Sequence, residues 1–377
     1  MQASSRPMKL AILGSRGIPP AYGGFETMAW ELSRELSARG HEVTVYSHRG
    51  RTDETRDVPA GIRRRWVRGL RGKHLETVTH TAMGALDTVV HRHDAVLLVN
   101  AANALFAFLP RLRGTKVALN VDGIERQRAK WGLAGRLWYT FGERLSLYLP
   151  NVIVADAQFI ADYYRARYGR ETAIIAYGAT LLDRDPPPDL ARHGLPDDVQ
   201  PGRYLLFVSR LEPENQADLV IRAYRDVPDD VPLLIVGDAP YATRYKARLT
   251  QLAAADPRVR LAGGMYGEVY ADLQRGAMAY IQATSVGGTH PALIEAMAAG
   301  NLVLAFDTPE NREVTAGTAL LFADQAQLTD ALTRVVQSPD SPEHETLRAA
   351  ARSRVASTYC WPAIADQYEE VFAGLPV

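Results

Sequence analysis

The chain has 377 residues, of which 47% are hydrophobic, and its 43 Lys and Arg balance 43 Asp and Glu. This length predicts two globular domains, and Cys360, the only cysteine, excludes an intrachain disulfide and a cysteine-based metal cluster. No apolar run reaches the roughly 18 residues of a membrane helix, and residues 1–8 lack a signal-peptide core, so we expect a cytoplasmic protein.

The zero net charge hides an uneven distribution along the chain. Residues 1–180 hold 26 Lys and Arg against 16 Asp and Glu, whereas residues 181–377 hold 17 against 27. Such an asymmetry indicates different partners for the two halves. The basic half favours a phosphorylated or membrane-bound anionic partner.

Short apolar strands alternate with amphipathic helices in the first half. Strand patterns occur at 9–14, 43–46, 95–99, 116–121, 152–155 and 172–176. The first predicted helix, 25–38, repeats apolar residues along one stripe. This βαβ order predicts a parallel sheet covered by helices.

A proline-rich segment at 181–203 interrupts this series, and we interpret it as a linker. A second series of strand patterns follows at 204–208, 232–236, 259–262, 277–281, 302–306 and 319–322. We therefore predict an α/β protein with two Rossmann-like, doubly wound parallel-sheet domains, 1–180 and 204–358, facing across a cleft. We expect a C-terminal helix at 359–377 to pack back toward the first domain.

Several unusual residues follow strands of the second series, at the sheet edge where parallel sheets bind ligands. Gly237 and Asp238 follow the second of these strands, and Arg210 follows the first. Arg210 could form a two-pronged bond to a diphosphate oxygen. Alternatively, it could pair with Glu212 or Glu214 at the surface.

The segment 284–300, with the sequence TSVGGTHPALIEAMAAG, carries the strongest local signal. Gly287 and its neighbour allow close backbone approach to a ligand, and the following helix begins with a proline. Helix N-termini bind anions through backbone N–H groups, and those predicted here belong to Gly288, Thr289 and His290. Glu295, one turn further, could accept hydrogen bonds from hydroxyls beside that anion. A diphosphate joined to a ribose has this layout; the alternative is a glycine-rich turn before an ordinary helix.

The first half carries weaker signals of the same kind. The long loop at 15–26 does not have the spacing of a dinucleotide-binding motif, but its Gly23 and Gly24 could reach a phosphate or a sugar. Asp122 could be a base, a sugar-hydroxyl acceptor or a turn residue. The Asp-x-Asp sequence at 183–185 lies in the proline-rich linker, so we predict no metal there.

Two basic stretches with interleaved apolar residues lie at 63–73 and 126–148. They could dock to anionic lipid headgroups or to a lipid-diphosphate acceptor. The alternative is a solvated face with core aromatic residues. Nucleic-acid binding is not expected, because no reading motif accompanies the charge.

Taken in their order along the chain, these motifs resemble those of the family-4 retaining glycosyltransferases of the GT-B fold, and the resemblance covers essentially the full length. The landmarks are YGGFET at 22–27, VSRLEPEN at 208–215, VGDAP at 236–240 and the segment 287–300. The chain is similar to the bacterial polysaccharide rhamnosyltransferase subgroup through KHLET at 73–77, NVDGIE at 120–125, RAKW at 128–131 and SVGGT at 285–289.

This resemblance implies a retaining transferase without metal or other cofactor. It implies a nucleotide-diphospho-sugar donor on the C-terminal domain, with dTDP- or UDP-L-rhamnose as the first choice and glucose or N-acetylglucosamine donors open. A saccharide or lipid-linked saccharide acceptor would bind the N-terminal domain, at the inner face of a membrane. The resemblance assigns the ribose to Glu295 and the diphosphate to Arg210, and Gly23 and Gly24 would close on the donor. We predict catalytic roles for Arg210, Asp122 and Glu295.

Two positions depart from the family pattern. The first acid of its Glu-x7-Glu motif, which contacts donor-sugar hydroxyls, falls at Gly287, and its usual second cation falls at Asn215. Both changes place more of the phosphate binding on Arg210 and on the N–H groups of residues 288–290. The alternative functions are a nucleotide-sugar 2-epimerase of the GT-B fold and a non-catalytic nucleotide-sugar-binding partner subunit.

Overall fold

The computed structural model describes residues 6–20, 23–70, 76–124 and 132–374. The chain divides into two compact units. Unit 1 comprises Met1–Tyr177 and Trp361–Val377, and unit 2 comprises Gly178–Cys360.

Unit 1 is built on a seven-stranded parallel sheet. Its strands are β1 (Lys9–Leu13), β2 (Glu42–His48), β3 (Ile62–Val67), β4 (Ala95–Val99), β5 (Lys116–Val121), β6 (Val152–Ala155) and β7 (Ala173–Ile174). Its first helices are α1 (Gly24–Ala38), α2 (Glu76–Val90), α3 (Phe108–Arg111), α4 (Leu133–Leu145) and α5 (Gln158–Tyr168). The strand order is β3-β2-β1-β4-β5-β6-β7. Strands β1 and β4 are apolar on both faces because helices cover both sides of a doubly wound sheet.

The first part of the basic stretch at 63–73 belongs to strand β3, which the sequence analysis did not predict. Arg63, Arg64 and Arg65 are consecutive on this edge strand, so their side chains lie on alternate faces of the sheet, and all three are at least partly exposed. The Arg64 guanidinium lies 4.6 Å from the ring centre of Trp66, and Arg65 Nη2 donates to Asp87 Oδ1 at 2.8 Å. Cation–π contact and ion pairing thus allow a strand that hydropathy does not predict. Residues 71–73 and 126–131 of the two basic stretches lie outside the described residues.

Unit 2 has a six-stranded parallel sheet. Its strands are β8 (Leu205–Val208), β9 (Leu233–Val236), β10 (Val259–Gly263), β11 (Ala279–Gln282), β12 (Leu302–Phe306) and β13 (Leu320–Phe322). Its helices are α6 (Ala217–Arg225), α7 (Thr243–Ala254), α8 (Glu268–Gly276), α9 (Pro291–Ala298), α10 (Pro309–Thr315), α11 (Gln325–Gln337) and α12 (Pro342–Arg354). Phe207, Ile235, Ile281 and Leu304 lie on neighbouring strands and are fully buried, each contributing about 1.5–3 kcal/mol to folding.

The last helix, α13 (Trp361–Gly374), returns to unit 1. Arg39 Nη1, at the end of α1, pairs with Asp366 Oδ1 at 2.6 Å and with Glu369 Oε2 at 2.8 Å. The Tyr368 ring is fully buried, and its hydroxyl accepts a hydrogen bond from Asn120 Nδ2 at 3.0 Å. This helix therefore completes the core of unit 1.

The two sheets confirm the predicted α/β class with two doubly wound parallel-sheet units. In unit 2 the order is β10-β9-β8-β11-β12-β13, so the direction of winding reverses between β8 and β11. In unit 1 it reverses between β1 and β4. Ligands of such sheets bind at the carboxyl ends of the strands that flank this reversal. In unit 2 these are the loops after β8 and β11.

Candidate functional site

The loops after β8 and β11 are joined at the reversal point of unit 2. The backbone N–H and the Oγ of Ser285 both donate to the Glu214 carbonyl, at 3.0 Å each. Gln216 Nε2 donates to the Ala283 carbonyl at 2.8 Å. These three bonds hold the residues after Arg210 against the segment that leads into α9, so the two loops form one site.

The N-terminus of α9 offers a hydrogen-bond donor to an anion. The helix begins at Pro291, and His290 before it is extended, with φ −95° and ψ 106°, and makes no side-chain cap. The Gly288 N–H donates to no atom of the described residues, whereas Thr289 and His290 each have an interaction partner. A bare N–H beside a helix N-terminus binds anions because the helix dipole adds to its partial charge.

The His290 imidazole packs closely against Gly287, three residues earlier in the chain. A Cβ atom on Gly287 would lie 2.5 Å from Cε1 of His290. The imidazole therefore occupies the space in which a longer side chain at position 287 would begin. A side chain at position 287 would therefore require the imidazole to move.

Glu295 lies one turn into α9 at the end of a chain of hydrogen bonds. The Tyr270 hydroxyl donates to Glu295 Oε2, Gln274 Nε2 donates to the Tyr270 hydroxyl at 2.9 Å, and Asn301 Nδ2 donates to Gln274 Oε1 at 3.2 Å. Burial raises the pKa of Glu295, and the Tyr270 hydrogen bond offsets part of that rise. Sequence analysis missed this chain, although the i, i+4 spacing of Tyr270 and Gln274 on α8 was a signal for two of its members.

Arg210 forms the ion pair that the sequence left as an alternative. Its Nη2 lies 3.7 Å from Oε2 of Glu212, and the arginine side chain is 37% exposed against 2% for the glutamate. The Tyr241 hydroxyl holds the other oxygen of Glu212 at 2.6 Å. Asn215 Nδ2 donates to the Arg210 carbonyl at 2.6 Å, so this amide shapes the loop. The guanidinium is therefore positioned by its neighbours and still accessible to an anion.

The loop after β9 places a glycine and a carboxylate at the same sheet edge. A Cβ on Gly237, which has φ +142°, would lie 1.8 Å from the Ser209 carbonyl oxygen, so only glycine fits. Asp238 pairs with Lys246 Nζ and accepts the Ala239 N–H at 2.8 Å. The lysine contact is the main cause of its lowered pKa, which keeps the carboxylate ionised.

In unit 1, the predicted glycines lie at the start of α1. Gly23 is its extended N-cap, with φ −158°, and Gly24 is its first residue. The Glu26 carboxylate turns back to accept the N–H of Arg16 at 2.9 Å. Burial raises the pKa of Glu26, and the Arg16 hydrogen bond opposes the rise. Tyr22 of the same motif lies outside the described residues.

Asp122 directly follows β5 and belongs to an acidic group around Tyr177. The Tyr177 ring is buried, and its pKa is raised first by burial and then by the negative charges of Asp122 and Asp156. Asp156 directly follows β6 and is 1% exposed. Sequence analysis missed Asp156, although its place after a predicted strand was a signal.

The predicted site residues thus fall into two sets, one on each unit. Unit 2 carries Arg210, Asn215, Gly237, Asp238, Gly287, Gly288, Thr289, His290 and Glu295, and unit 1 carries Gly23, Gly24 and Asp122. Within the four described ranges, no group of three His, Cys, Asp or Glu side chains could hold a metal ion. In the same ranges, no helix is both long and apolar enough to cross a bilayer.

Two family models match the chain, one on each unit. Residues 202–338 match the model described as glycosyl transferases group 1. Residues 23–178 match the model described as a glycosyl transferase 4-like domain. No curated protein matches the chain.

Solved structures of similar fold cover nearly the whole chain. The sucrose-phosphate synthase of Thermosynechococcus elongatus is 19% identical, covers 98% of this chain with 99% of its own, and has a TM-score of 0.80. HepE of Anabaena, solved in complex with UDP-glucose, is 17% identical, with coverage of 98% and 100% and a TM-score of 0.75. The UDP-forming α,α-trehalose-phosphate synthase of Burkholderia xenovorans, in complex with glucose-6-phosphate, is 12% identical, with coverage of 97% and 100% and a TM-score of 0.71. At these identities the likeness establishes the fold, which is the GT-B fold expected from the sequence.

Proposed function

Because the chain is a glycosyltransferase of the GT-B fold, we propose that unit 2 binds a nucleotide-diphospho-sugar, with its diphosphate on Arg210 and the Gly288 N–H. One observation carries this proposal. The loop that holds Arg210 and the loop that holds Gly288 are hydrogen-bonded to each other at the reversal point of the sheet. Glu295, buried one turn further, would accept hydrogen bonds from the ribose hydroxyls.

The proposed reaction transfers the sugar with retention at its anomeric carbon. The bond between sugar and diphosphate breaks, the acceptor hydroxyl oxygen forms the new glycosidic bond, and the hydroxyl proton passes to a diphosphate oxygen. Negative charge gathers on the leaving diphosphate. Arg210 and the Gly288 N–H would stabilise that charge, and one such preorganised donor lowers a barrier by about 3–4 kcal/mol.

For the donor we propose dTDP- or UDP-L-rhamnose, based on the subgroup signatures of the sequence. A uridine nucleotide is also supported by the solved structure of HepE, which contains UDP-glucose. The acceptor would be a saccharide or lipid-linked saccharide of polysaccharide biosynthesis, bound by unit 1. Asp122 would contact the reacting hydroxyls from the edge of that sheet.

The test is the variant Arg210→Ala assayed with a panel of UDP-, dTDP- and GDP-sugars, with and without acceptor lipid. We expect turnover to fall about a hundredfold, because an electrostatic stabiliser of the leaving group is lost. The matched control is Arg222→Ala, which removes an arginine paired with Asp218 at 2.7 Å on α6. Normal turnover in the Arg210 variant would remove that residue from the mechanism.

The same panel distinguishes the two alternative functions. A 2-epimerase would convert the donor and release free UDP without any acceptor. A non-catalytic partner subunit would bind the donor but neither transfer nor hydrolyse it. Transfer that requires the acceptor lipid supports the proposed glycosyltransferase and contradicts both alternatives.

We further propose that unit 1 contacts an anionic membrane through α4. Leu133, Leu137 and Phe141 form a stripe at i, i+4 and i+8 and are 76%, 62% and 47% exposed. The opposite face is packed, since a Cβ on Gly142 would lie 2.5 Å from the Ala101 carbonyl. Residues 101–150 also hold 8 Lys and Arg against 3 Asp and Glu. An apolar stripe flanked by arginines is typical of helices that lie on anionic lipid.

Vesicle flotation tests this membrane contact. The wild-type chain should bind phosphatidylglycerol vesicles more strongly than phosphatidylcholine vesicles, and salt should weaken the binding. The double variant Leu137→Ser, Phe141→Ser should bind more than tenfold more weakly, because each apolar side chain contributes about 1.5–3 kcal/mol when buried. The control is Leu321→Ser, which alters an exposed leucine of unit 2. Equal binding of the double variant and the control would contradict the proposal.

A further inference from the structure

Arg184, in the proline-rich segment 181–203, is hydrogen-bonded to the interior of unit 2. Its Nη2 donates to the Ala277 carbonyl at 2.6 Å. Its Nη1 donates to the Gly300 carbonyl at 3.2 Å and to the side-chain oxygen of Asn301 at 3.0 Å. These acceptors lie shortly before β11 and β12. The guanidinium is therefore at the amino edge of the sheet, whereas the candidate site is at the carboxyl edge.

A chain of hydrogen bonds leads from Arg184 to the candidate site. Asn301 Nδ2 donates to Gln274 Oε1 at 3.2 Å, and Gln274 Nε2 donates to the Tyr270 hydroxyl at 2.9 Å. That hydroxyl donates to Glu295 Oε2. The side chains of Asn301 and Gln274 in the middle of the chain are fully buried. Water therefore cannot replace a bond that is lost there, and its loss leaves an unpaired polar group.

All donors in this chain point in the same direction, from Arg184 toward Glu295. A guanidinium can only donate, so the Asn301 side-chain oxygen faces it and the NH2 group faces Gln274. The backbone carbonyl of Gln274 accepts from the same NH2 group at 2.8 Å and supports this orientation. Gln274 presents its own NH2 group to Tyr270, whose hydroxyl hydrogen is then available to Glu295. Hydrogen bonds aligned in series polarise one another, so a cation at the start strengthens the last bond.

We propose that Arg184 is a positioning residue of the donor site, because it aligns the hydrogen bonds that hold Glu295. This inference rests on the proposed function, in which Glu295 accepts hydrogen bonds from the ribose hydroxyls. Arg184 does not contact the nucleotide and acts through the side chains of Asn301, Gln274 and Tyr270. Burial and the Tyr270 hydrogen bond are the influences on the pKa of Glu295, so Arg184 acts through the bonds rather than through its charge at a distance.

Other arginines hold the same segment against unit 2. Arg352 Nη2 pairs with Asp183 Oδ1 at 2.7 Å, and Arg275 Nε donates to the Asp183 carbonyl at 2.5 Å. Within the described ranges, Arg352 forms no hydrogen bond with a member of the chain that leads to Glu295. Attachment of the segment can therefore be separated from alignment of the chain by comparing Arg184 with Arg352.

The test is calorimetric titration of the full-length protein with UDP and with dideoxyuridine diphosphate, which lacks both ribose hydroxyls. The ratio of the two Kd values isolates the contact with the hydroxyls, because both nucleotides carry the same base and diphosphate. We expect the wild-type protein to bind UDP at least about tenfold more tightly, and Arg184→Met to reduce this ratio at least about threefold. A merely structural residue would weaken both nucleotides alike. A wild-type ratio in Arg184→Met would therefore overturn the proposal.

The matched control is Arg352→Met, which removes an arginine from the same segment and should keep the wild-type ratio. Arg184→Lys retains a cationic donor and should restore part of the ratio that Arg184→Met loses. If Arg352→Met lowered the ratio as much as Arg184→Met, attachment of the segment would position Glu295, and the proposed role of Arg184 would be wrong.

Gln274→Met tests the chain without changing the segment, and it carries the test if Arg184→Met does not fold. It removes the bond to Tyr270 at similar side-chain volume, so the ratio should again fall at least about threefold. Glu295→Gln separates this inference from the proposed function. If wild type and Glu295→Gln bound both nucleotides equally, the ribose contact itself would be wrong. If Glu295→Gln lowered the ratio but Gln274→Met did not, only the positioning role would be overturned.

Discussion

At the scale of single residues, the buried carboxylate of Glu295 gives the candidate site a pH dependence. Burial raises the pKa of Glu295, and the Tyr270 hydroxyl is the group that lowers it. An acid with a raised pKa is ionised only above that value, so nucleotide binding to the ionised form is lost as the pH falls through it. We therefore expect the affinity for UDP to fall as the pH is lowered through the pKa of Glu295. Tyr270→Phe should move this loss to higher pH, because it removes the hydrogen bond that lowers this pKa.

Calorimetric titration with UDP between about pH 5 and pH 8 measures this shift. The matched control is Tyr245→Phe, which removes a tyrosine hydroxyl that donates to Asp218 at 2.7 Å elsewhere in unit 2. The control should keep the wild-type pH profile. If the Tyr270 variant lost its affinity for UDP at the same pH as the wild-type chain, the ionised carboxylate of Glu295 would not be the group that binds the nucleotide.

Residues at strand ends were predictable from the sequence, whereas contacts between distant segments were not. Arg210 and Asp122 were found because an apolar run defines a strand and its last residue defines the sheet edge. The Gly287–His290 contact depends on a side-chain position that no spacing encodes. The hydrogen bonds from Asn301 through Gln274 to Tyr270 join residues 31 positions apart. Such a network appears only once the elements are packed.

At the scale of elements, the loops at the carboxyl edge of unit 2 depend on close backbone packing after β9. A Cβ at position 237 would lie 1.8 Å from the Ser209 carbonyl, and the backbone there cannot give way. We expect Gly237→Ala to destabilise unit 2 by about 3 kcal/mol or more. Gly263→Ala is the matched control, because Gly263 also has a positive φ, +71°, but no heavy atom lies within 4 Å of its added Cβ.

Urea unfolding compares the two glycine variants directly. Gly263→Ala should lower the free energy of unfolding only by the left-handed backbone penalty of about 1–2 kcal/mol. The further loss in Gly237→Ala then measures the clash with the loop that holds Arg210. Equal losses of stability would mean that the loop after β8 can move away from position 237. The close packing of these two loops would then not be required.

The elements themselves differ in how far the sequence predicts them. Strands buried on both faces, such as β1 and β8, are continuous apolar runs and were found. Strand β3 was missed because an edge strand tolerates the arginines at 63–65. Arg65 pairs with Asp87 of α2, and Arg64 lies over the Trp66 ring of the same strand. Periodicity detects burial, so it fails where a strand is stabilised by charge pairs and ring contacts.

At the scale of the whole molecule, the two units differ in how the chain builds them. Unit 2 is one continuous segment, Gly178–Cys360, whereas unit 1 requires α13 from the end of the chain. The Ala179 N–H donates to the Tyr359 carbonyl at 2.7 Å, so the two ends of unit 2 meet within the unit. A continuous segment with its own core can fold alone.

Truncation after Cys360 should therefore unfold unit 1 and leave unit 2 folded. The deletion removes Trp361, Ile364, Tyr368 and Phe372, each at most 4% exposed. At about 1.5–3 kcal/mol per side chain, their loss is comparable to the roughly 5–15 kcal/mol of net stability of a domain. Scanning calorimetry of the full chain should show two transitions, and the truncated chain should retain only that of unit 2.

A graded pair of substitutions separates lost packing from other effects of truncation. Tyr368→Phe removes only the hydroxyl, which accepts from Asn120 and donates to Met28 Sδ at 3.8 Å, at a cost of about 1 kcal/mol. Tyr368→Ala also removes a fully buried ring, at a cost of about 3–5 kcal/mol. The midpoint temperature of the unit 1 transition should fall slightly in Tyr368→Phe and further in Tyr368→Ala. The midpoint temperature of the unit 2 transition should not change. If both transitions fell together, the two units would unfold as one, and α13 could not be regarded as part of unit 1 alone.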